Sequence, residues 1–70
     1  MPKLTYKELL RVIDLLKDEF KLPFLRYVDG YKYKEISEEL DIPIGTVKSR
    51  IFIARKELIA RLKTEYSLTR

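Results

Sequence analysis

Cysteine, histidine and tryptophan are all absent from this 70-residue chain, and glycine occurs only twice. Without cysteine or histidine there is no disulfide, no thiolate or imidazole metal site, no cysteine nucleophile and no imidazole general base. Carboxylates, lysines, tyrosines and hydroxyls are what remain for chemistry, and neither a metal nor a cofactor is expected. A core in a domain this small contributes only about 3–5 kcal/mol. With no covalent or metal staple to add to it, the remaining solution is one domain of well-packed helices. Long apolar runs are missing too. None approaches the roughly 18 residues of a membrane span, and no signal-peptide pattern opens the chain. A soluble, cytoplasmic protein with no membrane partner is therefore expected.

Charge is abundant and unevenly placed. Fifteen basic against eleven acidic side chains give +4. Met1 to Ile42 holds eight basic and nine acidic residues, net −1, whereas Pro43 to Arg70 holds seven basic and two acidic, net +5. A neutral scaffold carrying one basic element points to an anionic partner, nucleic acid ahead of a membrane surface. The acidic pairs Asp14/Asp18 and Glu35/Glu39 lie at i, i+4, the spacing of a solvated helix face, so no enzymatic activity is expected.

The chain reads as four helices with no strand-like alternation. Thr5 and Glu8 stand at capping-box spacing, with Leu4 and Leu9 placed as a hydrophobic staple, and Leu9, Val12, Ile13 and Leu16 follow the helical period. The first helix is predicted over about 6–17. A second over about 19–28 presents Phe20, Phe24, Leu25 and Val28; Pro23 is tolerated there by its closeness to the first turn, and Gly30 ends it. The third is predicted over 33–40, with Ile36 and Leu40 turned inward. Asp41-Ile42-Pro43 breaks it. The fourth runs over about 44–63 and carries Val47, Ile51, Ala54, Leu58 and Leu62 on one stripe, leaving a frayed tail over 64–70.

A turn this short between the third and fourth helices has helix-turn-helix spacing, and Ile36, Leu40, Ile42, Val47 and Ile51 would pack the two across each other. The far side of the fourth helix is neither wholly polar nor wholly apolar. At 100° per residue from Val47, Lys48 falls at about 100°, Phe52 at about 140°, Lys56 at about 180°, Ser49 at about 200° and Ile53 at about 240°. Lysine and serine suit the acceptors of a major groove, and Phe or Ile suits thymine methyls. Around this face lie candidate phosphate contacts. They are the helix-start amides of Ile44, Gly45 and Thr46, the Thr46 hydroxyl, Tyr33 and Lys34 opening the third helix, and Arg50 and Arg55 on the two flanks. Gly45 leaves room for close approach of a strand.

The run from Tyr31 to Ile51, YKYKEISEELDIPIGTVKSRI, closely resembles region 4 of bacterial sigma factors of the extracytoplasmic-function group. Leu22-Pro23-Phe24-Leu25-Arg26-Tyr27-Val28-Asp29-Gly30 before it fits the same pattern. Gly-Thr-Val-Lys-Ser-Arg following a Glu-Ile-x-Glu-x-Leu helix is far more restrictive than a generic helix-turn-helix, and the likeness extends over about Leu9 to Lys63. It implies an all-α, four-helix domain with a C-terminal helix-turn-helix of the winged-helix-like, sigma region 4 type, here the C-terminal domain of a longer initiation factor. It further implies recognition of the minus-35 element of double-stranded promoter DNA, docking to the beta flap of RNA polymerase core, and an anti-sigma factor as a possible partner.

Carried onto these residues, Lys48, Ser49 and Phe52 would meet bases, and Thr46, Arg50 and Tyr33 would meet the backbone. Leu16, Phe20 and Phe24 are the candidates for docking a protein partner. Three positions depart from the family. Asp41 replaces the usual turn glycine, which Asp tolerates better than most residues. Ser37 replaces a common alanine and needs a partner, expected one turn back. Ile53 replaces Arg or His, removing one polar contact. A monomer is expected on this reading; a stand-alone or response-regulator-type helix-turn-helix regulator would instead need a dimer and a two-fold operator, and a purely protein-binding module would ignore DNA.

Overall fold

The computed structural model describes residues 5–66, with side chains over 5–64. Four helices follow in order: α1 (Tyr6–Ile13), α2 (Asp18–Val28), α3 (Tyr33–Leu40) and α4 (Ile44–Tyr66). Among the described residues there is no strand, and no helix is long and apolar enough to cross a membrane. The all-α reading holds. The molecule measures 39 × 18 × 17 Å, its long dimension set by α4, whose 23 residues span about 34 Å at 1.5 Å each. All three shorter helices pack against α4.

Local chemistry explains the boundaries. The Thr5–Glu8 box forms in both directions: the Glu8 N–H donates to Thr5 Oγ1 at 3.1 Å, and the Thr5 N–H donates to Glu8 Oε1 at 3.1 Å. Leu4, the other half of the expected staple with Leu9, lies outside the described residues. At the end of α2, Gly30 adopts φ 101°. The Tyr31 N–H reaches the Arg26 carbonyl and the Gly30 N–H reaches that of Tyr27, a Schellman closure that a left-handed glycine makes inexpensive.

Three expectations about the helices need correction. The first helix ends at Ile13 rather than Lys17. Leu15 and Leu16 donate instead to carbonyls three residues back, Val12 and Ile13, and this tighter turn brings Leu16 into the core while releasing the chain for α2. The apolar period persists through it, which is why periodicity alone overran the boundary. Pro23 is not in a first turn but is the sixth residue of α2, and it is buried; its missing N–H leaves the Glu19 carbonyl without an i+4 donor, and its ring packs inside. Finally, α4 continues to Tyr66, so Thr64 to Tyr66 are helical rather than tail. Residues 67–70 of that expected tail lie outside the described residues.

The core has two clusters. Val12, Ile13, Leu16, Ala54 and Leu58 form one, and Ile36, Val47 and Ile51 form the other under the helix-turn-helix. Phe24 packs against both. The arrangement puts α2 beneath the α3–α4 corner and fixes α4's orientation. Across the surface, Arg26 Nε of α2 meets Glu39 Oε2 of α3 at 2.9 Å, and Lys21 ties α2 to Asp14 at 3.0 Å.

Candidate nucleic-acid interface

The corner that aims α4 is built at Asp41, Ile42 and Pro43. Asp41 takes the left-handed conformation, φ 55° and ψ 50°, as its side-chain type allows. The Ile42 N–H then donates to the Ser37 carbonyl at 3.1 Å, and the Ser37 hydroxyl donates to the Ile42 carbonyl. Ser37 therefore finds its partner ahead in the turn, not one turn back as expected. The reciprocal pair fastens α3's last turn to the start of α4 while Ile42 drops toward Ile36 and Val47.

At the start of α4 the Pro43 carbonyl accepts from the N–H groups of Thr46 and Val47, at 3.0 and 3.1 Å. The Thr46 amide is thus already engaged, contrary to the expectation that it is free; Ile44 and Gly45 supply the first-turn donors that a helix start leaves over. Gly45 is exposed, and a Cβ built on it would meet nothing within 4 Å. No neighbour within the chain requires glycine there.

Tyr33, Gly45, Lys48, Ser49, Phe52 and Arg55 line one open groove, with the buried Ile51 as its floor. Phe52 and Ile53 are exposed, at 57% and 42%, and Lys56 Nζ lies 5.5 Å from the Phe52 ring centroid. The residues placed on the far side of α4 by helical period do face solvent together. Lys34 is exposed and Thr46 half-buried, and neither lines the groove. Arg50 is half-buried on the opposite flank, in a depression it shares with Asp18, Glu19 and Leu22 of α2. Its guanidinium therefore belongs to a different part of the surface from Arg55.

Leu16 is also corrected: at 3% exposure it is core, packed with Val12 and Leu58, and is not available to a docking partner. Phe20 and Phe24 are half-buried against the same cluster. Tyr27, given no site role by the sequence pattern, joins the groove's edge. Tyr27 stacks on Tyr33, centroids 5.7 Å apart and planes 23° apart. The available signal was symmetry about Gly30: once the chain reverses there, residues three before and three after it meet.

A short turn through a left-handed Asp41, a recognition-type helix with exposed Lys, Ser and Phe, and cations at the groove edge together describe a helix-turn-helix. Residues 6–58 match the family described as sigma-70, region 4. The chain belongs to that family. It is 43% identical over 49 residues to the ECF RNA polymerase sigma-E factor of Salmonella typhimurium strain LT2, a stretch covering 69% of this chain and 26% of the relative. The same figures hold for the ECF RNA polymerase sigma-E factor of Escherichia coli K12. That of Haemophilus influenzae is 53% identical over 32 residues, 46% of this chain and 17% of the relative. The chain thus spans about a quarter of the length of the first curated relatives it matches. No solved structure matches it. Within region 4 the matched span contains the whole groove, from Tyr33 to Arg55.

Proposed function

We propose that this region 4 domain recognises the minus-35 element of a promoter and docks on RNA polymerase core, as one part of a sigma factor in transcription initiation. The observation that carries the reading is the groove itself. A helix N-terminus, a hydroxyl, an exposed aromatic and two cations converge on one face of α4, and α4 is held at a fixed angle by a fully buried pair, Ile36 and Val47. Lys48 and Ser49 offer donors to base acceptors, while Phe52 and Ile53 offer apolar contact to thymine methyls. Tyr33 and Arg55 hold the backbone on one flank, and Arg50 meets a separate stretch on the other. The likeness to relatives named as ECF RNA polymerase factors supports the polymerase partner, the site for which is the half-buried face of α2 around Phe20 and Phe24. The domain acts as a monomer, and an anti-sigma factor would compete for one of these two surfaces.

A single small module buries only roughly 600–1,000 Å² on DNA, so its binding is weak and governed by phosphates. With about −0.9 per phosphate in log affinity against log salt, a few contacts give a slope of roughly −3 to −5. Retention of a labelled duplex across a salt series measures it, and purified polymerase core should retain the chain in a parallel experiment. An affinity unchanged between low and moderate salt would remove DNA from the reading.

A further inference from the structure

We infer that Tyr27 is a positioning residue that holds Arg55 as a phosphate-binding cation at the edge of the groove. This rests on the DNA-binding reading and extends it to a residue outside the groove lining. Four side chains from three helices form a continuous array. Lys48 Nζ lies 5.7 Å from the Tyr33 ring centroid, Tyr33 stacks on Tyr27 at 5.7 Å, and the Arg55 guanidinium carbon lies 5.8 Å from the Tyr27 centroid. Each of the two stacked rings therefore has a cation against it.

The chemistry of these contacts matters. A carboxylate would hold an arginine in place but cancel its charge, whereas a ring attracts the cation through its quadrupole and leaves the full positive charge available. Several other cations of the domain are held by carboxylates instead. Arg26 meets Glu39 at 2.9 Å, Lys21 meets Asp14 and Asp18, and Arg61 meets Glu57. Among the described residues no carboxylate lies within 4 Å of Lys48 or Arg55. Lys56 also faces a ring, that of Phe52, with no carboxylate partner among the described residues, but lies outside the groove lining; Lys48 and Arg55 are the two such cations that line it. They stand seven residues apart on α4, about 10 Å along its axis and within about 20° of one line. Tyr27 comes from α2, so the stack also links α2 to the edge of the recognition helix, outside the core.

The ring thus reduces the freedom Arg55 must surrender on meeting a phosphate, without reducing its charge. Arg55 contacts the backbone only when so held, and removing the ring removes one phosphate contact.

The test is the salt dependence of binding to a random-sequence duplex of about 20 base pairs, using the full chain. Arg55→Ala is expected to make the slope about 0.9 less negative, one phosphate's worth. Tyr27→Ala and Tyr27→Leu should each do the same, while Tyr27→Phe keeps the wild-type slope. The double variant Tyr27→Ala/Arg55→Ala should lose no more than Arg55→Ala alone, since the two residues make one contact. Leucine preserves apolar bulk at a position that is 37% exposed, so it carries the test if the alanine variant loses helical circular dichroism. A wild-type slope in Tyr27→Leu, or a double variant that loses two contacts' worth, would overturn the proposal while leaving DNA binding intact. A wild-type chain with no salt-dependent retention would overturn both.

Discussion

Shortening Ile36 by one methyl group tests whether the two core clusters stand or fall together. Ile36 is fully buried beneath the corner, against Val47, Ile51 and Phe24, so the space left by Ile36→Val has no route to solvent and cannot easily collapse. Such a change costs about 0.5–1.5 kcal/mol. A domain of this length holds only roughly 3.5–10 kcal/mol in total, at about 0.05–0.15 kcal/mol per residue. With a urea dependence of about 1 kcal/mol per molar for so small a domain, the midpoint should fall by about 0.5–1.5 M. Because Phe24 packs on both clusters, the loss should appear as one cooperative transition. Far-ultraviolet circular dichroism reports all four helices, while tyrosine near-ultraviolet dichroism reports the Tyr27–Tyr33 stack beside the second cluster. The two curves should coincide and shift together. A midpoint change below about 0.2 M on the same scale, or a tyrosine transition that precedes the helical one, would refute the coupling through Phe24.

Gly45→Ala should stabilise the domain by up to about 1 kcal/mol, since its Cβ meets open space and alanine favours helix; thermal melting will show the gain, and duplex retention should show weaker DNA binding because the added methyl faces the strand. Ile53→Arg should leave the melting temperature nearly unchanged, given 42% exposure, and should improve competition by duplexes carrying guanine opposite position 53 by about 1–3 kcal/mol; unaltered preferences would mean that position 53 does not face the bases. The Thr5 N–H and hydroxyl hold the Glu8 carboxyl below its ordinary value. Its contribution to stability is therefore complete above the unfolded value and lost as pH falls through the lower folded one. Carboxyl titration by NMR should find Glu8 depressed, and Glu8→Gln should flatten that acid-side loss; a Glu8 titrating at or above the usual range would contradict the cap.

Local signals made much of this molecule legible. The Thr5 box, the left-handed glycine at 30, the break after Leu40 and the proline before α4 are each decided within a few residues, and α3 spans the residues that spacing predicts. Helical period also sorted α4 correctly, burying Val47, Ile51, Ala54 and Leu58 and exposing Lys48, Ser49, Phe52 and Ile53. What escaped was decided through space. The apolar stripe of α1 continues into a tighter turn, so its period gave no warning that the helix ends at Ile13. Leu16 could be read as surface or core until α4 supplied Leu58 beside it. Ser37 needed a partner that sequence could not locate, because the carbonyl comes from the far side of a left-handed turn. Tyr27 joined the site only when the chain reversed at Gly30. Arg50 and Arg55 look equivalent as flanking arginines, yet one faces the acidic start of α2 and the other an aromatic ring.

Recovery of bound duplexes from a randomised pool asks most directly whether the exposed face of α4 reads bases. The wild-type chain, at a salt concentration where nonspecific binding is suppressed, should enrich one short motif without two-fold symmetry, as a monomeric helix in a single major groove requires. Its positions nearest Lys48 and Ser49 should be the most strongly specified, and that nearest Ile53 should be thymine or unspecified. No enrichment over the starting pool would contradict base recognition by α4, and a palindromic motif would contradict the monomer.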